Sequence, residues 1–235
     1  MALPNRVCAV AGVGPGIGAS YARRFAAEGY RVALLARSAG FSEQVAASLP
    51  AARAFACDVG DEASVMRTFD AIRGELGDPE VLLYNAGSGV FAGFEETTAE
   101  QMEASWRVNA LGAFLCARQV VPAMKRRGSG ALVFTGATAS RKGGARSLPF
   151  SSAKGAQRLL AESLARALWP SGIHVALIVV DGVVDLPRTR ERMKDKPDSF
   201  FIRPDAVADT ALRLVEQDRS AWSFEVEARP FAEPW

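Results

Sequence analysis

Histidine and cysteine are scarce in this chain: there is one histidine, His174, and three cysteines, Cys8, Cys57 and Cys116, in 235 residues. So few sulfur and imidazole groups, none of them in a ligand-like spacing, exclude a structural zinc centre and a disulfide framework. Cys8 and Cys57 sit in apolar, strand-like runs and Cys116 in a helical one, which reads as three small buried hydrophobes in a reducing setting. His174 lies inside the apolar run Ile173-His174-Val175 and reads as a structural core residue. An excess of one charge is also missing, because 28 basic side chains face 26 acidic ones for a net charge of +2. No basic field of the kind that binds nucleic acid is present. The cluster Lys125-Arg126-Arg127 closes a helical pattern, where cations complement the helix dipole. No apolar run reaches the about 18 residues that a membrane-spanning helix needs. Met1-Ala2-Leu3-Pro4-Asn5 runs straight into a strand-like segment, which leaves no room for a signal peptide. These absences predict a cytoplasmic protein with no metal, nucleic-acid or membrane partner.

What is present is a folding composition, 49% hydrophobic and 23% charged, without repeats, low-complexity tracts or an interdomain linker. Residues 1–235 are expected to form a single domain. Apolar runs of strand length occur at 7–11, 32–36, 54–57, 81–84, 131–135 and 173–180, with a last strand expected at 222–226. Helical patterns lie between them at 16–28, 42–49, 62–76, 99–127, 150–169 and 205–216. Continuous apolar strands alternating with amphipathic helices describe a parallel sheet covered on both faces. The expected fold is therefore α/β: a Rossmann-type, doubly wound parallel sheet of about seven strands in a three-layer αβα arrangement.

The first strand enters the glycine-rich turn Gly12-Val13-Gly14-Pro15-Gly16-Ile17-Gly18 as a helix begins. In that context Gly12 permits a tight turn, Gly16 lets the backbone approach a pyrophosphate, and Gly18 lets helix pack on strand. The helix start supplies amide donors and positive potential. Gly14 and Ile17 complete this candidate dinucleotide cradle. The second strand ends at Leu35-Ala36-Arg37, where an acidic residue would accept hydrogen bonds from the ribose of NAD. Arg37 stands there instead, and its guanidinium suits a 2′-phosphate, so NADP(H) is expected in preference to NAD(H).

Four further segments carry a family resemblance: Cys57-Asp58-Val59, Asn85-Ala86-Gly87, Asn109 within Arg107-Val108-Asn109-Ala110, and Phe150-Ser151-Ser152-Ala153-Lys154. Over nearly its whole length the chain resembles a short-chain dehydrogenase/reductase. The resemblance implies that Asp58 and Val59 meet the adenine and that Asn85, Ala86 and Gly87 line the cofactor cleft. It implies that Lys154 holds the ribose, that Asn109 supports a water relay, and that Gly182 and Val184 follow the sixth strand beside the nicotinamide. It also implies a homodimer or homotetramer through the helices at 99–127 and 150–169, and a substrate lid at about 186–203.

The chain departs from the family at two of its four catalytic positions, holding Phe150 in place of tyrosine and Ala137 in place of serine. In this it resembles an atypical branch that also carries phenylalanine. Phe150 and Lys154 are four residues apart and share a helix face, but a phenyl ring cannot donate a proton. Thr138 and Ser140, just after Ala137, are candidate substrate-binding hydroxyls. Tyr84 is read as packing, and Asp181 as a turn residue or a substrate contact. The expected activity is NADP(H)-dependent oxidoreduction of a small carbonyl, alcohol or imine with a non-standard proton donor. Two alternatives stand beside it: a catalytically silent NADP(H)-binding partner protein, and a non-redox dehydratase, cyclase or isomerase using the same cleft.

Overall fold

The computed structural model describes residues 6–232. The readings made at 1–5 and at the terminal residues to Trp235 lie outside the described residues. Six strands and six helical stretches alternate first: β1 (Val7–Ala11), α1 (Ile17–Ala27), β2 (Arg31–Ala36), α2 (Ala39–Ala47), β3 (Ala52–Ala56), α3 (Glu62–Glu75), β4 (Val81–Tyr84), α4 (Ala99–Trp106), α5 (Gly112–Arg127), β5 (Gly130–Ala137), α6 (Leu148–Leu168) and β6 (Ile173–Val180). There follow β7 (Val183–Val184), α7 (Pro187–Arg192), β8 (Phe201–Ile202), α8 (Pro204–Val215) and β9 (Glu225–Ala228). Seven strands form one parallel sheet in the order β3-β2-β1-β4-β5-β6-β9, while β7 and β8 pair separately.

Alternation along each strand feeds two apolar layers. Val7, Ala9 and Ala11 of β1 face one side with Phe69, Met124 and Leu168. Cys8 and Val10 face the other with Tyr21, Phe25 and Leu212. Burial on both faces is why these strands read as continuous hydrophobic runs. Local signals set several ends: Asp61 accepts hydrogen bonds from the Ala63 and Ser64 amides to start α3, Thr98 and Gln101 form a capping box at α4, and Gly128 ends α5 in the left-handed region.

Three expected elements differ. The helix anticipated over 99–127 is broken by a π-helical turn, Arg107–Leu111, around Asn109. The last strand lies at Glu225–Ala228 instead of 222–226, because Trp222 turns inward to stack on His174 at 4.8 Å. The expected lid, 186–203, contains α7 and β8, and β8 is tied to β7 by parallel pairing.

Candidate active site

The carboxyl ends of β1, β2, β4, β5 and β6 open on one cleft of about 1110 Å³. That is roomy beside the roughly 300–1,000 Å³ of ordinary small-molecule sites, and its position beyond the strand ends is where doubly wound sheets bind ligands. One end is made largely of backbone. Gly12 has φ +95°, and a Cβ there would lie 2.4 Å from Ala86 Cα. A Cβ on Gly18 would lie 2.4 Å from the Gly12 carbonyl oxygen. Asn85 Nδ2 donates to that same oxygen at 2.8 Å, so the residue after β4 fixes the turn after β1. Gly14 faces open space and Leu186 reaches over Gly16. The cradle fits a pyrophosphate: Gly12 and Gly18 let β1, β4 and α1 close tightly, Gly14 leaves open space before the turn, and α1 begins there.

Along the same cleft, Asp58 accepts from the Gly60 amide at 2.9 Å, which holds the loop after β3 beside buried Val59. Arg37 is exposed on the lining and has no hydrogen-bond or ion-pair partner among the described residues. Its guanidinium is available to an anion. Ile17, Ala86, Gly87, Gly182 and Val184 also line the cleft.

At the other end stand Lys154 and Phe150, both on α6 and on the lining. Their i,i+4 spacing puts Lys154 Nζ 5.9 Å from the Phe150 ring centroid. The Nζ donates to the Thr135 carbonyl at 2.8 Å and to Gln157 Oε1 at 3.0 Å. Burial without a countercharge pulls its pKa down from 10.5 to about 7. Asn109 lies behind the lining, fully buried, with Nδ2 donating to the Ser105 carbonyl at 2.9 Å and the Ser88 carbonyl at 3.1 Å. The side chain thus takes up the i−4 carbonyl in the π-helical turn, and its Oδ1 is left without a hydrogen-bond partner among the described residues.

The family profile for short chain dehydrogenases matches residues 6–197. D-threitol dehydrogenase from Mycolicibacterium smegmatis is 30% identical over 224 residues, 90% of this chain and 86% of that protein. The crystal structure of a short-chain dehydrogenase from Rhodopseudomonas palustris superposes with a TM-score of 0.84 at 33% identity, covering 97% of this chain and all of the other. A metagenomic short-chain oxidoreductase in complex with NADP superposes with a TM-score of 0.83 at 26% identity, covering 98% and 99%. The chain belongs to the short-chain dehydrogenase family. Its relatives are oxidoreductases, and the seven-stranded parallel sheet is the α/β fold that the sequence predicts.

Within this short-chain dehydrogenase framework the hydroxyl candidates separate. Ser140 is corrected: it is buried off the lining, and its Oγ accepts from the Ala137 amide at 3.0 Å. A serine three residues after a strand end satisfies the backbone before it can reach a ligand. Thr138 lines the cleft, but its hydroxyl donates to Asp181 Oδ1. Asp181 in turn pairs through Oδ2 with Arg229 at 3.1 Å, which makes it a tie between the end of β6 and the chain beyond β9. Both of its carboxylate oxygens thus have protein partners. Tyr84 is buried with its hydroxyl donated to the Val108 carbonyl, and both His174 ring nitrogens face carbonyls, of Leu214 at 3.0 Å and Ser223 at 2.9 Å.

Sequence reading missed Ser38, Phe91, Lys142, Ser147 and Gln157. Ser38 carried a signal, since it follows Arg37 at the strand end and lines the cleft with it. Phe91 carried none: it lies in an irregular segment and reaches the site by stacking on Phe150 with centroids 5.3 Å apart. Lys142 and Ser147 also come from a loop without periodicity, and Gln157 is one polar residue on an otherwise apolar helix face.

Proposed function

We propose that this short-chain dehydrogenase is an NADP(H)-dependent reductase of a small carbonyl compound in which Lys154, in place of a tyrosine, supplies the proton. The observation that carries this reading is the Lys154 amine, buried on the cleft floor beside a phenyl ring with a pKa of about 7. A group that exchanges its proton near neutral pH is matched to acid–base work. The unpaired Arg37 and the absence of an acid at the end of β2 support the preference for NADP(H).

NADPH held in the glycine cradle would supply a hydride to the carbonyl carbon. The protein's part is to hold the dinucleotide by the amides at the start of α1, to shield the reacting end with Phe150 and Phe91, and to protonate the nascent alkoxide from Lys154 Nζ. The protonated amine is the active form, so reduction falls as pH rises through about 7. The test is NADPH oxidation by a panel of ketones, aldehydes and imines across pH 5.5–9, for wild type and Lys154→Met. At least one compound should turn over, with the descending limb near pH 7 and turnover absent in the variant. Retention of that limb in Lys154→Met would remove the lysine from the chemistry.

A second reading is favoured by a separate observation. Ala137, the last residue of β5, has no hydroxyl, and Thr138 just after it has given its own to Asp181, so neither offers a free hydroxyl to a substrate oxygen. A silent NADP(H)-binding partner protein fits that loss. It requires tight NADPH binding with no turnover of any carbonyl offered. The substitution of Phe150 also supports placement in the atypical phenylalanine branch. We further assign the protein to the cytoplasm as a single-domain homodimer or homotetramer. Among the described residues, three free cysteines are buried, no helix is long and apolar enough to cross a membrane, and Trp106, Phe114 and Leu159 are exposed on the helices expected to pair.

A further inference from the structure

Gln157 stands one turn beyond Lys154 on α6 and is fully buried. Its Oε1 accepts from Lys154 Nζ at 3.0 Å, and its Nε2 has no hydrogen-bond partner among the described residues. Leaving half a buried amide unpaired is a desolvation cost that an aliphatic side chain of the same size would avoid. Apart from Lys154, the buried residues around it on α6, Ala153, Ala161, Ala165 and Leu168, are apolar. The amide is oriented by the amine, since reversing it would turn an N–H toward Nζ, which is itself a donor.

The surroundings of the amine are otherwise neutral. From β5 it meets the Thr135 carbonyl, and the Thr135 hydroxyl pairs at 3.1 Å with Tyr21, a phenol whose pKa burial raises far above its usual 10. From the loop after β4 comes Gly87; a Cβ built there would lie 3.9 Å from Nζ and 3.3 Å from Asn109 Oδ1. From its own helix come Phe150 and Gln157. Among the described residues no charged side chain offsets the burial of Lys154. Two oxygens therefore fix this amine, and Gln157 Oε1 is the one that comes from a side chain.

We infer that Gln157 is a positioning residue for the proton donor: its Oε1 clamps the Lys154 amine against the Thr135 carbonyl on the cleft floor and, as a hydrogen-bond acceptor, favours the protonated amine. The inference rests on the proposed reduction for its catalytic meaning, but not for its measurement. An acceptor facing an ammonium stabilises the charged form, so removing it makes the amine easier to deprotonate. Gln157→Met keeps the volume and removes the acceptor. Gln157→Glu keeps an acceptor and adds charge.

The experiment follows the Nζ resonance of lysine-labelled full-length protein by NMR against pH, with Lys154→Met assigning the signal, and records carbonyl reduction by NADPH in the same variants. The Lys154 midpoint should fall by about one pH unit in Gln157→Met and rise in Gln157→Glu. With a wild-type midpoint of about 7, the protonated fraction at pH 7 then drops about fivefold in Gln157→Met, and kcat with it, while Gln157→Glu restores activity at that pH. Unchanged midpoints in the folded variants overturn the inference. If Gln157→Met does not fold, Gln157→Glu decides alone by the direction of its shift. Shifted midpoints without turnover of any carbonyl leave Gln157 in its role and remove the proposed reduction instead.

Discussion

The two ends of the cleft obey different rules. The cradle end depends on atoms that are absent: Gly12 and Gly18 leave the space that lets β1, β4 and α1 close to within van der Waals contact. The other end depends on atoms that side chains must supply, and there the lining offers the Phe150 ring and the Ala137 methyl, neither of which carries a hydroxyl. Backbone geometry keeps a binding site recognisable through wide sequence change, whereas chemistry at one oxygen can vanish with a single substitution.

The comparison is broken most directly by restoring the missing atoms. Phe150→Tyr combined with Ala137→Ser should raise NADPH-dependent carbonyl reduction by about 10²–10⁴-fold, the usual worth of a positioned acid. Steady-state assays of both single variants and the double variant show which hydroxyl matters. A double variant no faster than wild type would mean that the pocket itself rejects the substrates tried.

Filling the cradle attacks the other end. Gly12→Ala places a Cβ against Ala86 in a left-handed backbone conformation. A cost of about 2–3 kcal/mol weakens NADPH binding about 30–160-fold, readable by fluorescence titration. Binding within threefold of wild type would contradict the close approach.

A smaller effect separates burial from function at Lys154. Its folded pKa of about 7 lies below the ordinary 10.5, so between those values the unfolded chain binds more protons and stability rises with pH. The destabilisation is complete below about pH 7 and fades toward pH 10.5. Lys154→Met should accordingly raise stability by about 1–2 kcal/mol at pH 7 and by less at pH 10, since the loss of two hydrogen bonds offsets part of the gain. Denaturant melts at the two pH values provide the check, and an equal change at both would argue against a neutral buried amine.

Arg37→Ala sharpens the cradle end with the least disturbance. NADPH affinity should fall about tenfold, or about 1.4 kcal/mol, while NADH affinity stays the same. A parallel loss for both cofactors would end the assignment of Arg37 to a 2′-phosphate.

The cradle was legible before the fold because each of its requirements is a residue type at a fixed spacing. Gly12, Gly16 and Gly18 follow an apolar run, Arg37 ends the next strand, and Asn85-Ala86-Gly87 ends the fourth. The reacting end was legible only as a list of residues and their absences. Thr138 and Ser140 look alike in sequence, yet one faces the cleft with its hydroxyl committed to Asp181 and the other bonds the Ala137 amide. Asn109 gives no warning that its amide takes over the Ser105 carbonyl and interrupts a helix whose apolar spacing runs on through it.

By itself the sequence determined the alternation of strands and helices, the glycine turn and the absence of a hydroxyl at Ala137 and Phe150, since periodicity, missing Cβ atoms and missing oxygens are properties of single positions. The partners were decided only by tertiary structure: Asp181 with Arg229, Phe91 on Phe150, and Gln157 with Lys154. These are contacts between groups whose burial and direction depend on how layers pack, and burial is what gives the lysine its shifted proton affinity.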